Sequence, residues 1–380
     1  MQTSISQKNW FPPAVFFLAR LTMIIAIPLD GLQGLGDLKH FYNLARIGWP
    51  YLDHWVEFPP LFPYLSLAIL KLAGSREHVY DYLLVLFLTL AQTGTIYFVV
   101  RLSQELFDAA ESQRRIWVYV LLSLCLVYGW WYFDPLAVFF VLLGVWGLYR
   151  QRAVMGGAAV ALGALTKLFP LLLLPAAWKW ISKPKAVLFT CVALGVLAAT
   201  YFAFYLASPA YTLASLASQA SKGSWETIWA LLDGNYLTGN LGPLIERLDP
   251  ALAYRLRGNA PRISPLVILL PMLALGAWIF WRARLDNFHK ALAFIGLTWC
   301  IFYLWSPGWS PQWILYLLPL ILLTLREDQA IFLSFTLTLV NLLEWPVILS
   351  RGYQDLLWVT ITFRTCLLIL LGWLWSREII

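Results

Sequence analysis

Apolar stretches recur along the whole chain, separated by short polar or basic junctions. They predict helices over 11–29, 79–100, 116–133, 135–149, 153–166, 168–181, 186–207, 263–284, 289–305, 312–325, 330–345 and 356–375. A helix needs roughly 20 apolar residues to cross a hydrocarbon core of about 30 Å, and these stretches approach that length. None shows the short alternating segments of a membrane barrel. The pattern is that of an all-α integral membrane protein with about twelve transmembrane helices. Several stretches fall short of a full crossing, which predicts helices that stop at a cavity. Pro135 after Asp134 and Pro170 soon after Lys167 predict tight turns near the membrane face.

Two polar insertions interrupt the apolar series, a first loop over 30–78 and a larger one over 207–262. Within the first, the segment from Leu61 to Ala73 is short and broken by Pro63. We read it as an interfacial helix. The basic clusters Arg101, Arg114/Arg115, Arg150/Arg152, Lys179/Lys183/Lys185, Arg282/Arg284/Lys290 and Arg326 then share one side, which the positive-inside rule makes cytoplasmic. Both termini are expected in the cytoplasm and both insertions outside. No internal repeat is visible, so residues 1–380 read as a single membrane domain.

Composition sharpens this picture. The chain is 61% hydrophobic and 12% charged, with a mean hydropathy of +0.70. A net charge of +7 and a pI near 9.2 sit in the junction clusters and do not point to nucleic acid. Cys125, Cys191, Cys300 and Cys366 all lie in apolar segments, which supports neither a disulfide framework nor a thiolate metal site. The first apolar segment runs into the first loop without a small-residue cleavage site and is expected to remain as a span. No Asn-x-Ser/Thr sequon occurs, which favours a bacterial plasma (inner) membrane.

Candidate chemistry concentrates in the first loop, where GDLKHFYNLARIGWPYLDHWVEFPPLFPY (Gly36 to Tyr64) holds Asp37, Asp53, Glu57, His40 and His54. Carboxylates beside a bilayer are costly to desolvate, and several together mark a site. On the expected topology Asp134, Glu226 and Glu344 lie on the same outer side, with Lys167, Lys222, Arg20 and Arg364 at or below that level. Carboxylates and cations at the mouth of a membrane cavity suit glycosyl transfer from a polyprenyl-phosphate sugar. One carboxylate takes the acceptor's proton. The phosphate leaves without the general acid a glycosidase requires, and cations stabilise its charge. No Asp-x-Asp pair, G-x-G-x-x-G or Walker loop is present, which argues against a nucleotide-sugar donor.

The order of several motifs resembles the polytopic C-type glycosyltransferases, in their polyprenol-phosphate-mannose-dependent mannosyltransferase branch. These are GD, Tyr42, GWPYLD and EFPPLFPYL in the first loop, the Asp-Pro turn at Phe133 to Leu136, GALTKLFPLLLLP at Gly163 to Pro175, SWETIWALL at Ser224 to Leu232, and SPGWSPQWILYLLP at Ser306 to Pro319. The resemblance implies the C-type glycosyltransferase fold and an inverting transfer of a sugar, often mannose, on the non-cytoplasmic face. Its implied partners are a polyprenyl-phosphate sugar donor, a lipid or glycan acceptor and membrane lipids, with no cofactor. It places the catalytic base at Asp37 and a second acidic residue at Asp134. Lys222 and Trp225 stand where an arginine is expected, and Phe58 replaces the commoner tyrosine.

Each candidate also has a plainer reading. Asp37 suits a helix cap, and His40, three residues on, shares its helical face. Asp37/His40 with His54/Glu57 has loose metal-ligand spacing. Asp134 suits the start of a helix before Pro135, Lys167 suits snorkelling to the interface, and Gln312 suits backbone groups freed by nearby prolines. Lys222 and Glu226 flank Trp225 in the large loop, and with Gln312 complete the substrate-binding candidates. A rival reading is a transporter or flippase of a lipid-linked sugar. It predicts inverted repeats and ionisable groups at the bilayer midplane. A lipid-linked oligosaccharide ligase or polymerase would lean on arginine and histidine in a large late loop, and 207–262 contains no histidine.

Overall fold

Prolines open many of the helices. Pro12 and Pro13, Pro135, Pro209 and Pro265 each stand in a first turn, where a missing N–H costs no hydrogen bond. Side-chain caps start others: Asp108 accepts from the Ala110 and Glu111 amides, and Asn287 from the Lys290 amide. The computed structural model describes residues 8–237, 239 and 242–380, and every regular element among them is helical.

Among the described residues six helices are long and apolar enough to cross a membrane: Glu77–Leu106, Lys183–Ala207, Pro265–Arg282, Phe288–Trp305, Glu327–Ile348 and Gln354–Ile379. Five further apolar helices are shorter, among them Leu61–Leu72 with 12 residues. At 1.5 Å per residue that helix spans about 18 Å, too little for a hydrocarbon core.

Two expected spans are not single helices. The stretch expected over 116–133 ends its helix at Cys125, and a short helix follows at Tyr128–Trp131. Tertiary contacts hold the break. The indole N–H groups of Trp130 and Trp131 both donate to the Leu32 carbonyl, at 3.2 and 3.1 Å. The stretch expected over 168–181 divides into a 3-10 helix at Phe169–Leu173 and a helix at Leu174–Trp180, each carrying a proline.

The chain groups into two compact units. The first comprises the described residues of 1–171, 183–221 and 241–255. Its long Glu77–Leu106 helix packs against Phe11–Ala26 and Asp134–Tyr149, and the latter lies along Ala153–Thr166. A Cβ at Gly147 would stand 2.6 Å from the Gly156 Cα, so bare backbones set that helix pair's separation. The second unit comprises the described residues of 172–182, 222–240 and 256–380. There Phe288–Trp305 packs on Leu357–Ile379, with Gly296 flat against the indole of Trp375, whose N–H reaches the Thr324 hydroxyl at 2.7 Å.

Candidate functional site

In the first unit the chain enters the helix Leu38–Ile47 through Asp37, which occupies the N-cap position. Its carboxylate makes no cap hydrogen bond and is half-buried. The Asp37 amide instead donates to the Trp131 carbonyl at 3.0 Å. That contact needs a bare backbone before it, since a Cβ at Gly36 would clash with the Trp131 Cβ and lie 2.9 Å from its Cα. Gly34, at φ +48°, approaches the same indole.

One turn along, His40 Nε2 lies 3.1 Å from Glu57 Oε1. Glu57 is buried and is held from the other side by Arg247, whose Nε donates to Oε2 at 3.2 Å and Nη2 to Oε1 at 3.3 Å. The Arg247 guanidinium is 1% exposed and covers the Trp55 ring at 4.2 Å. Burial pulls the His40 pKa down, but the Glu57 hydrogen bond and the charges of Glu57 and Asp37 outweigh it and raise it above its ordinary value. With His40 protonated, the two cations balance Asp37 and Glu57.

His54, in the same loop, behaves oppositely. It is fully buried, neither ring nitrogen has a hydrogen-bond partner, and burial brings its pKa down to about 4. Asp53 instead accepts from the Trp49 amide at 2.8 Å, closing the turn before it.

Asp134 and Lys167 meet each other. Lys167 Nζ donates to Asp134 Oδ1 at 2.7 Å, with Asp134 fully buried and Lys167 partly exposed. The ammonium also faces the rings of Phe133 at 5.5 Å and Phe169 at 5.2 Å. Phe133 stacks on Phe62 at 4.2 Å and meets Phe58 and Phe41 edge-on. An aromatic wall therefore joins the Asp134–Lys167 pair to the Asp37–His40 helix, and these four residues, with Glu57, fall in one unit.

Lys222, Glu226 and Gln312 belong to the second unit. Lys222 lies over the Trp225 ring at 5.2 Å. Glu226 is buried beside Glu344 and Arg364. Burial, then the Glu344 charge, push its pKa well up against the opposing pull of Arg364. Gln312 Oε1 is buried without a donor, next to the Trp313 ring that packs edge-on against Trp225.

Sequence reasoning missed Arg247. It stands 190 positions from Glu57 in a stretch reading ERLDP, and no local pattern links them. Its one visible signal is an arginine in the large polar insertion, away from the basic junctions.

No protein-family model and no curated protein matches the sequence. Among solved structures, the chain is similar to the Archaeoglobus fulgidus oligosaccharyltransferase in its apo form, at 14% identity and a TM-score of 0.47. The match covers 97% of this chain and 55% of that one, so the chain spans about half the length of that enzyme. At this score and identity the likeness assigns neither an activity nor a site.

Proposed function

We propose that the protein is a membrane glycosyltransferase that moves a sugar from a polyprenyl-phosphate donor to an acceptor hydroxyl on the non-cytoplasmic face of the plasma (inner) membrane. Mannose is the sugar the motif resemblance favours. Asp37 is the general base. It takes the acceptor's proton as the acceptor oxygen attacks the anomeric carbon. The bond from that carbon to the phosphate oxygen breaks on the opposite face, the anomeric centre inverts, and polyprenyl phosphate leaves with the bonding electron pair.

The observation that carries this reading is the setting of Asp37. Its carboxylate stands at a helix start without closing the cap. It lies one turn from His40, whose pKa the Glu57 carboxylate raises against burial and the opposing charge of Arg247. A neighbouring imidazolium favours the ionised form of the base. Lys167, oriented by Asp134 against the aromatic wall, offers a cation for the leaving phosphate. Trp and Phe faces suit the sugar and the isoprenoid.

The test is turnover of a panel of polyprenyl-phosphate sugars by the purified protein in lipid discs, wild type beside Asp37→Asn. Release of polyprenyl phosphate that needs Asp37 supports the reading. Transbilayer movement of the donor without release would make the protein a carrier instead.

A further inference from the structure

Two carboxyl groups share a deep site in the second unit with a single guanidinium. Glu226 precedes the helix Ile228–Asp233, Glu344 follows Glu327–Leu342, and Arg364 lies within Leu357–Ile379. Their exposures are 3%, 0% and 2%. Arg364 Nη1 donates to Glu344 Oε1, and Nη2 donates to the backbone carbonyl of Glu226. The indole of Trp309 covers the guanidinium at 4.7 Å.

These bonds leave Oε2 of Glu226 and Oε2 of Glu344 as buried acceptors without a donor. The two side chains are within hydrogen-bond reach of each other. Two adjacent carboxylates cannot both ionise in such a site, and one arginine balances only one of them. A single proton on the pair supplies the missing donor and restores charge balance together. Beside Arg364 is a cavity of about 20 Å³ lined by Thr227, Trp229, Tyr303 and Trp309. It has room for about one water beside the guanidinium.

We infer that Glu226 and Glu344 form a proton-binding site, occupied at neutral pH, and that its proton fastens segment 224–233 to the Leu357–Ile379 helix. The segment is also tied by the Asp233 carboxylate, which accepts from the Arg262 amide at 2.7 Å, and by neutral bonds. Thr227 Oγ1 donates to the Pro307 carbonyl at 2.9 Å, the Trp229 indole to the Leu304 carbonyl at 3.1 Å, and the Trp309 amide to the Trp225 carbonyl at 3.0 Å. The charged groups facing Glu226 are Glu344 from one helix and Arg364 from the other. Loss of the proton leaves one uncompensated negative charge among them and loosens the segment.

Infrared spectra of the full chain in lipid discs test the site directly. At neutral pH the wild type is expected to show a protonated-carboxyl carbonyl band that disappears in Glu226→Gln. Glu344→Gln gives an independent reading should that variant fail to fold. Its Glu226 is left alone with Arg364, ionises, and loses the band as well. Amide exchange of 224–233, corrected for intrinsic rate, is expected to rise with pH in the wild type as the band titrates away, and to stay low in Glu226→Gln. A band that persists in both variants, or exchange that rises equally in Glu226→Gln, overturns the inference.

Discussion

His40 Nε2 stands 3.1 Å from Glu57 Oε1, and it is the Glu57 carboxylate, itself gripped by Arg247, that decides the charge of His40. In the wild type His40 is expected to titrate above the ordinary imidazole value. Glu57→Gln removes the charge, leaves the burial, and brings that titration down. Selectively labelled histidine NMR across pH measures it, with His40→Gln identifying the signal. An unchanged His40 titration in Glu57→Gln would separate the two residues.

Arg247 leaves Glu57 buried and half-compensated when it is lost. Arg247→Met is expected to destabilise the protein by about 3 kcal/mol, the usual consequence of removing one member of a buried ion pair. Arg247→Met combined with Glu57→Gln recovers part of the loss, because no charge is left stranded. Denaturant melts of the four proteins form the cycle. Equal stability of the single and double variants would contradict it.

The two loop histidines pull stability in opposite directions with pH. His40 has a raised folded pKa, so its contribution is full below the unfolded value and fades as pH rises through the folded one. His54 has a folded pKa of about 4, below the unfolded value, so its neutral burial supports the fold at neutral pH and is lost as pH falls toward 4. From the ordinary imidazole value down to pH 5 the His54 loss amounts to about 2 kcal/mol. His54→Leu is therefore expected to flatten the acid side of the stability curve. A curve as steep as the wild type's would sink the assignment.

Gly36 holds Asp37 by being small. Gly36→Ala drives a methyl into the Trp131 side chain and backbone and moves Asp37 off its place. Transfer is expected to fall about a hundredfold, as a displacement near 1 Å does in a positioned site. Gly195→Ala, where the added methyl meets nothing within 4 Å, leaves transfer unchanged. Equal activity of both variants would remove Gly36 from the account.

What the sequence revealed and concealed follows from range. The continuous apolar stretches are local, and so are Pro135 and Pro265 in first turns, which is why those helices were legible from residues alone. The break after Cys125 was not. Its stretch is apolar throughout, and the two indoles that hold it reach Leu32, about a hundred positions away. Clustering in one loop brought His40 and Glu57 under notice, but their contact with Arg247 spans 190 positions. Asp134 and Lys167 were visible as separate candidates, and only the fold shows that each is the other's ion-pair partner. Glu226 read as an outer-loop carboxylate, yet it is buried, with its backbone carbonyl bonded to Arg364, 138 positions on.

The central claim is that Asp37 removes a proton from an acceptor as a sugar leaves its polyprenyl phosphate. The most direct measurement is single-turnover release of polyprenyl phosphate in lipid discs, with donor and acceptor both present, comparing wild type with Asp37→Asn at matched folding. The account predicts release by the wild type from one donor in the panel and a loss of at least about a thousandfold in the variant, within the range of general-base contributions. Wild-type turnover by Asp37→Asn would contradict it.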